Sequence, residues 1–355
     1  MFNLDQFYLT LKDYIFENHR HLNPALVYPY PFGSSSPDQV AFESTVDVPD
    51  VVFLVYDQEP IFASVPFLDH YGELFKEWGS RVVLITTQRW GVNLSQYIEK
   101  YNWTPVYFFF HGIVAQDWYR GYKHNPLIKQ KADINYHFYS LNRLFDGPRP
   151  HRRWLLCDIV DKDLLKNSLF SFPEQDAYTG RTFEESCTDY DCQHHNVAQA
   201  AETLPLVLDD NTQQSFYIEN KYAKQCFMNI VTETVFDYKE NYITEKTLKP
   251  FVLGMPFVVL GTPNTLNTLH DYGFETYHGL WNESYDNDVS HASRYQKVLK
   301  VIKSVGELNI DDLKDRYNVI QGVLEYNQHH VFSDGLQERL VNELFTNLEI
   351  AIAKI

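Results

Sequence analysis

The chain has 355 residues, of which 44% are hydrophobic and 22% are charged, and its formal net charge at pH 7 is −17. This length exceeds the size at which a single hydrophobic core usually keeps growing, so we expect two domains. The acidic balance opposes duplex nucleic acid as the main ligand, because such binding depends on many contacts of lysine and arginine with phosphate. A local basic groove lined by Arg120, Lys123, Lys129 and Lys131 would be needed for that function.

No apolar run approaches the roughly 20 residues of a membrane-spanning helix. Residues 1–22 mix acidic and apolar side chains, and they lack the basic start and unbroken apolar core of a signal peptide. The four cysteines provide no disulfide framework of the kind that stabilises small secreted domains. We therefore expect a cytoplasmic protein without a membrane span.

The first part of the chain alternates helical and strand patterns. Residues 1–24 predict a helix, and the prolines and glycine at 24–37 indicate an irregular connection. Apolar runs predict strands at 51–56, 81–87 and 106–110, with helical patterns near 69–78 and 93–101. Continuous apolar strands that alternate with helices are typical of a parallel sheet covered on both faces.

Polar side chains follow two of these strands. Asp57 and Glu59 come directly after the strand predicted at 51–56, and His111 follows the strand predicted at 106–110. Ligands of α/β proteins bind at the carboxyl ends of strands, so Glu59 is a candidate general base. Asp57 is either a second acid on this acceptor side or a cap of a turn or helix. His111 either faces an acceptor or is a hydrogen-bonded histidine at a strand end.

A second α/β series begins near Tyr136. Residues 136–141 predict a strand, and two prolines precede a long helix from Trp154 to about Leu165. Further strands are predicted at 204–208, 227–234 and 257–260, and helical periods return after Gly273 and near the C-terminus. Residues 173–203 are polar, acidic and irregular, which predicts an insertion or a mobile loop.

These patterns predict an α/β protein with two Rossmann-like domains that face each other across a cleft. The first domain would comprise residues 1–135 and the second residues 136–330, followed by a C-terminal helix at 331–355. Among glycosyltransferases this architecture is called GT-B. Dehydrogenases and periplasmic binding proteins also pair α/β domains, so the pattern alone leaves the function open.

Several common cofactor fingerprints do not occur. No Gly-x-Gly-x-x-Gly follows an early strand, and the sequence contains neither a Walker loop nor a Gly-x-Ser-x-Gly elbow. Three clusters resemble metal ligands: Cys187-x4-Cys192 with His194 and His195, Asp209-Asp210, and Asp286-x-Asp288. The Cys/His spacing is not that of a known zinc site, and acidic pairs are common in turns. We therefore expect neither a metal nor a separate cofactor.

The stretch from Tyr242 to Gly261 contains the most informative pattern. A polar cluster leads into an apolar segment that predicts a short helix, a Gly-Met-Pro turn and a strand ending at Gly261. Helix N-termini offer free N–H groups and a positive dipole, so Lys246 is suited to a diphosphate and Glu245 to a ribose. Pro250 should kink or shorten this helix, because it lacks the N–H and its ring crowds the preceding turn.

Four more residues complete this candidate site. Glu233 ends an otherwise apolar strand, where an acid is costly unless a ribose hydroxyl or a lysine partners it. Arg149 and Arg152 lie at the start of the predicted helix, close in sequence to Asn142. An arginine at that position is either a bidentate partner of a diphosphate or a surface cation.

Residues 229–234, Tyr242–Lys246 and the strand ending at Gly261 resemble the donor-binding motif of α-1,3-fucosyltransferases in order and spacing. In that family a strand ending in an acid precedes Tyr-(Ile/Val)-Thr-Glu-Lys, a helix and a strand ending in glycine. This chain has Thr234-Val235 where the family has Asn-Ser, and it carries Pro250 in the helix.

The resemblance implies a nucleotide-sugar donor site in the second domain. The donor-binding residues would be Asn142, Arg149, Glu233, Tyr242, Thr244 and Glu245. Lys246 and Arg152 would neutralise the charge of the diphosphate, and Glu59 is the nearest match to the catalytic carboxylate. The acceptor side, with Asp57 and His111, is covered by the resemblance only in layout.

We therefore predict a metal-independent, inverting glycosyltransferase with Glu59, Lys246 and Arg152 as catalytic residues. It would move a sugar from a nucleoside-diphosphate donor, similar to GDP-fucose, to a hydroxyl of a glycan or another acceptor. Two alternatives stay open. One is a phage-type glycosyltransferase that acts on DNA bases, and the other is a non-catalytic protein that binds nucleotides or glycans.

Overall fold

The computed structural model describes residues 3–29, 40–57, 60, 65–89, 91–124, 134–189, 196–208, 218 and 220–355. They belong to two compact units. The first unit contains residues 1–117 and 333–355, and the second contains residues 118–332. The division therefore lies ahead of the boundary that we predicted after residue 135, and the C-terminal segment belongs to the first unit.

The first unit contains a five-stranded sheet in the order β2-β1-β3-β4-β5, in which only β2 is antiparallel to its neighbour. Its strands are β1 (Pro24–Pro29), β2 (Val40–Ser44), β3 (Val51–Tyr56), β4 (Val82–Thr86) and β5 (Thr104–Tyr107). Its helices are α1 (Leu4–Asn18), α2 (Val65–Leu74), α3 (Val92–Tyr101), α4 (Phe110–Trp118) and α14 (Asp334–Ile352). Every residue of β3 and β4 is buried, as expected for parallel strands inside a sheet.

Two predictions about this unit were wrong. Residues 24–29, predicted as irregular, form strand β1, whose two prolines occupy its ends, where the loss of an N–H is tolerated. The predicted strand at 106–110 ends at Tyr107, and Phe110 already begins helix α4. His111 therefore lies in the first turn of a helix rather than at the end of a strand.

The C-terminal helix α14 completes the first unit. Leu340, Leu344 and Leu348 recur on one face of the helix and are fully buried. The side-chain amide of Asn347 donates to the Tyr107 carbonyl at 2.8 Å, at the end of β5. The last helix of the chain therefore packs in the same unit as the N-terminal segment.

The second unit contains a four-stranded, all-parallel sheet in the order β7-β6-β8-β9. Its strands are β6 (Tyr136–Leu141), β7 (Ser168–Ser171), β8 (Cys226–Thr232) and β9 (Phe257–Leu260). Its helices are α5 (Pro150–Asp161), α6 (Phe183–Asp189), α7 (Val197–Glu202), α8 (Asn220–Ala223), α9 (Glu245–Leu253), α10 (Thr265–Asp271), α11 (His291–Gly306), α12 (Ile310–Val319) and α13 (Gln321–Val331). The prediction of an α/β protein with two mainly parallel sheets is confirmed.

The second unit also corrects local predictions. Residues 173–203 contain α6 and α7, and Asp176 orders the turn before them by accepting from the Phe145 N–H at 2.6 Å and the Tyr178 N–H at 3.0 Å. Residues 204–208 form no strand, only an isolated bridge between Leu206 and Phe172. Among the described residues, no helix combines the length and apolar character needed to cross a membrane.

Candidate functional site

The carboxyl ends of β6, β8 and β9 meet at one edge of the second sheet, which we call the carboxyl edge. Asn142 follows β6 and is buried there. Its amide oxygen accepts from the Thr232 hydroxyl at 2.8 Å, and its amide nitrogen donates to the Ser140 hydroxyl at 3.2 Å. Asn142 therefore ties the end of β6 to the end of β8.

Glu233 follows β8 and is completely buried at the start of α9. One carboxylate oxygen accepts from the Thr244 N–H at 3.0 Å and the Thr247 hydroxyl at 2.5 Å. The other accepts from the Thr244 hydroxyl at 2.6 Å and the Thr234 N–H at 3.2 Å. A carboxylate has about four acceptor positions, and these four hydrogen bonds fill them. The partner that the sequence led us to expect for this buried acid is therefore mainly the beginning of α9. A ribose contact would have to displace one of these donors.

A glycine allows this arrangement next to β9. A Cβ atom at Gly261 would lie 3.2 Å from the Glu233 Cγ and 3.1 Å from a Val259 methyl. The Gly261 carbonyl accepts from Arg294 Nε at 3.0 Å, and the same buried guanidinium donates to the Phe236 carbonyl at 2.6 Å. Arg294 and Gly261 therefore hold the loop after β8 against the end of β9.

Arg152 reaches the carboxyl edge from the first turn of α5, but it is buried there. Its guanidinium donates to the carbonyls of Leu144 at 2.6 Å, Thr232 at 2.8 Å and Glu233 at 2.9 Å. Burial, together with the neighbouring Arg149, lowers the pKa of the Arg152 guanidinium. These contacts make Arg152 a brace for the end of β8. Arg149 is only half-buried and donates to the Asp146 carbonyl at 3.2 Å.

The two lysines of α9 lie at the carboxyl edge. A cavity of about 50 Å³, the small cavity, is lined by Tyr139, Leu141, Asn229, Ile230, Val231, Thr232, Lys246 and Lys249. Its volume holds a few water molecules. The Lys246 side chain is 33% exposed, and its ammonium lies 3.0 Å from a Glu245 carboxylate oxygen. The helix begins at the Thr244 N-cap, whose hydroxyl accepts from the Lys246 N–H at 3.3 Å.

Two residues of the small cavity escaped sequence reasoning. Lys249 is three residues beyond Lys246 and therefore on the same side of α9, a spacing that would have indicated a second cation. Its ammonium lies 5.7 Å from the centre of the Tyr119 ring, and burial lowers its pKa to about 8. Asn229 is an amide in the middle of the buried strand β8, where an apolar residue is usual.

Two other predictions about α9 and its neighbourhood have clear outcomes. The helix continues through Pro250 to Leu253 and ends at Gly254, whose φ of 59° is left-handed. The helix is therefore not interrupted at the proline. Tyr242 lies beside the carboxyl edge, but its side chain is buried and its N–H donates to the Thr262 hydroxyl at 3.0 Å.

In the first unit, Asp57 follows β3 as predicted, and it is buried. Its carboxylate accepts from the Tyr8 hydroxyl of α1 at 2.5 Å. Burial raises the pKa of Asp57 to about 7, although the Tyr8 hydrogen bond acts in the opposite direction. His111 is buried within α4. Glu59, the predicted general base, lies outside the described residues.

The candidate metal residues have structural contacts. Asp286 accepts from the Leu266 N–H at 2.8 Å at the start of α10, and Asp288 pairs with the Lys297 ammonium at 2.7 Å. Cys187 is buried. Outside the described residues lie Cys192, His194, His195, Asp209, Asp210 and two lysines of the candidate basic groove, Lys129 and Lys131. Within the described ranges, no three His, Cys, Asp or Glu side chains form a metal-binding group.

No protein-family model matches this chain, and no curated protein sequence matches it either. The fold and the site define an α/β protein whose second unit gathers two lysines and a helix N-terminus at the carboxyl edge of a parallel sheet. Ligands of open α/β sheets bind at this edge, and an N-terminal helix end with added cations suits an anionic ligand.

Proposed function

We propose that the protein is a glycosyltransferase that uses a nucleoside-diphosphate sugar as its donor. The observation that carries the proposal is the position of Lys246 and Lys249 beside the small cavity, at the N-terminal half of α9. Two ammonium groups and the helix dipole favour a diphosphate at the carboxyl edge. The sequence resemblance to the donor motif of α-1,3-fucosyltransferases makes a GDP-fucose-like sugar nucleotide the first candidate.

The proposal extends to the fold and to the division of labour. We assign the two units to the paired Rossmann-like domains of the GT-B architecture, with donor binding in the second unit and acceptor chemistry in the first. Glu59 remains the proposed base. Asp57 is a second carboxyl group directly after β3, and a pKa of about 7 would suit a group that exchanges protons near neutral pH.

The proposed reaction is a single displacement at the anomeric carbon. The acceptor hydroxyl loses its proton to a carboxylate and its oxygen bonds to the anomeric carbon, while the bond to the diphosphate oxygen breaks with its electron pair. The anomeric configuration is thereby inverted. Negative charge develops on the departing diphosphate, where the partly exposed Lys246 ammonium would stabilise it.

On their contacts at the carboxyl edge, we divide the residues of the proposed site into two groups. Lys246, Lys249 and the half-buried Arg149 are assigned to the phosphates, and Glu245 to the ribose. Asn142, Arg152 and Glu233 donate to or accept from the protein itself, so we assign them to positioning the ends of β6 and β8.

Calorimetric titration with GDP, UDP, ADP and CDP tests the donor site. We expect one diphosphate to bind, and Lys246→Ala to weaken it at least tenfold, which corresponds to about 1.4 kcal/mol. Lys239→Ala, at an exposed position six residues after Glu233, is the matched control and should bind as the wild type does. No binding by the wild type, or equal binding by the Lys246 variant, would contradict the proposal.

A turnover assay separates the enzyme from its alternatives. Glu59→Gln should keep the diphosphate affinity and lose transfer or donor hydrolysis by orders of magnitude. A wild-type protein that binds the diphosphate but neither hydrolyses nor transfers any sugar would instead be a nucleotide-binding protein. Transfer of labelled sugar to duplex DNA, with a gel shift at low salt, would identify the phage-type reaction.

A further inference from the structure

A second and larger cavity lies in the second unit. Its volume is about 440 Å³, which is within the range of small-molecule sites. Apolar, polar and cationic side chains line it: Leu280, Trp281, Val301, Val305 and Leu308, then Asn282, Ser284 and Ser304, then Lys297, Lys300 and Arg316. We call it the large cavity. It shares no residue with the small cavity.

The large cavity lies at the opposite edge of the sheet from the proposed donor site. The Leu308 carbonyl accepts from His137 Nε2 at 2.7 Å, and His137 is the second residue of β6. The Leu280 N–H donates to the carbonyl of Tyr277, whose hydroxyl donates to the Met255 carbonyl just before β9. The strands are parallel, so these contacts belong to their amino ends. The two cavities therefore lie toward opposite ends of these strands and have separate linings.

The charge of this lining is unusual for so acidic a chain. Among the described residues, three cations and no aspartate or glutamate line the large cavity, whereas the whole chain has a net charge of −17. Lys297 is neutralised by Asp288 at 2.7 Å. Lys300 forms no ion pair with a described residue, and Arg316 donates to the Leu280 carbonyl at 3.3 Å. Two cations are therefore left at the rim to attract a negative group.

The wall of the large cavity is apolar and includes an aromatic ring. Val301 and Val305 are buried on one side of α11, and Trp281 is 8% exposed. The Trp281 indole N–H has no hydrogen-bond acceptor in the described part of the chain. A buried donor without an acceptor is unfavourable, and an acceptor on a ligand would satisfy it.

We propose that the large cavity binds a small amphipathic anion. Its aromatic or branched aliphatic group lies against Trp281 and Val301, and its carboxylate, sulfonate or phosphate group binds Lys300 and Arg316. Burial of the apolar group supplies affinity, and the two cations select the charge. This site is separate from the proposed donor site and does not rest on the transferase function.

The probe for the test is 8-anilinonaphthalene-1-sulfonate, an aromatic anion whose fluorescence rises on binding. We expect saturable binding to one site of the full chain. The double variant Lys300→Ala/Arg316→Ala, at two exposed positions, should bind at least tenfold more weakly. Ser304→Trp should fill the cavity and abolish binding. Lys303→Ala, an exposed lysine on the same helix that does not line the cavity, is the control.

A neutral probe separates charge from apolar contact. N-phenyl-1-naphthylamine lacks the sulfonate, so it should bind more weakly than the anion and be unaffected by the double variant. Circular dichroism and thermal melting verify that each variant is folded. The proposal is overturned if the anion shows no saturable binding or if the double variant binds it as tightly as the wild type does. Loss of binding in the Ser304 variant alone would indicate an apolar cavity without anion selectivity.

Discussion

Buried polar side chains define the chemistry of this protein at the scale of the residue. Glu233 and Arg152 are ionisable side chains in the interior, and each has several hydrogen-bond partners from the protein. Burial of a charge is tolerated only with such partners. Asp57 and Lys249 are buried with pKa values displaced by burial toward neutrality, so pH titration tests both residues directly.

Asp57 should make stability depend on pH. Its pKa rises from 3.8 to about 7 on folding, so the folded state holds the proton more tightly. The contribution of Asp57 to stability is fully present below about pH 4 and is lost as the pH rises through about 7. We therefore expect the free energy of unfolding of Asp57→Asn, minus that of the wild type, to be larger at pH 8 than at pH 5. Urea denaturation at the two pH values measures this difference. Glu99→Gln, at an exposed position, is the control. If the free-energy difference between Asp57→Asn and the wild type were the same at both pH values, the assignment to Asp57 would be contradicted.

Lys249 should make diphosphate binding depend on pH. Its charge is lost as the pH rises through about 8, whereas the phosphates stay ionised because their last pKa is near 6. We expect the affinity measured by calorimetry to fall severalfold between pH 7 and pH 9.5. Lys249→Met should bind more weakly at pH 7 and show little further loss. If the affinity of this variant fell between pH 7 and pH 9.5 as much as that of the wild type, the titrating group would not be Lys249.

At the scale of the element, α9 is the structural centre of the proposed site. Its N-cap Thr244, the buried Glu233 and the brace Arg152 connect the helix to the end of β8. A carboxylate at the N-terminus of a helix is attracted to the positive end of the helix dipole, so Glu233 stabilises α9. Lys246 and Lys249 are therefore presented from a helix whose start is firmly held.

Loss of the Thr244 hydroxyl should loosen this helix. Thr244→Val keeps the shape of the side chain but removes the N-cap acceptor and one donor to Glu233. We expect a loss of about 1–2 kcal/mol in the free energy of unfolding, measured by urea denaturation, and weaker diphosphate binding. Thr10→Val is the control, because the Thr10 hydroxyl donates to the Gln6 carbonyl within its own helix. A variant as stable as the wild type would show that Glu233 caps α9 without Thr244.

At the scale of the whole molecule, the chain begins and ends in the same unit. The N-terminal segment and α14 share the first core, while all of the second unit lies between them in sequence. The first unit therefore cannot complete its core until the last residues have been added. The two sheets belong to different compact units, so we expect a core substitution to act mainly on the unit that contains it.

Leu344→Ala tests this organisation. Leu344 is fully buried in α14, and its truncation should cost about 2–5 kcal/mol in the first unit. Hydrogen exchange should accelerate in peptides of β3–β5 and stay unchanged in peptides of β8 and β9. Glu338→Ala, exposed on the same helix, should leave both exchange patterns intact. Faster exchange confined to β8 and β9 would contradict the assignment of α14 to the first unit.

The sequence by itself determined the α/β class, most of the parallel strands and the position of Lys246 at the start of a helix. These features follow from local periodicity and from the chemistry of helix N-termini. Strand β1 and the end of β5 were missed because neighbouring prolines and a continuous apolar run obscured the boundaries.

Only the tertiary structure decided which donor meets which acceptor. Arg152 donates to a carbonyl 80 residues away, Glu233 accepts from threonines of the next helix, and α14 joins a core that begins at the other end of the chain. A sequence pattern records the type and spacing of side chains along one element. The pairing of a buried charge depends on the packing of several elements, and this packing surrounds Arg152 and Glu233 with protein partners and leaves Lys246 partly exposed.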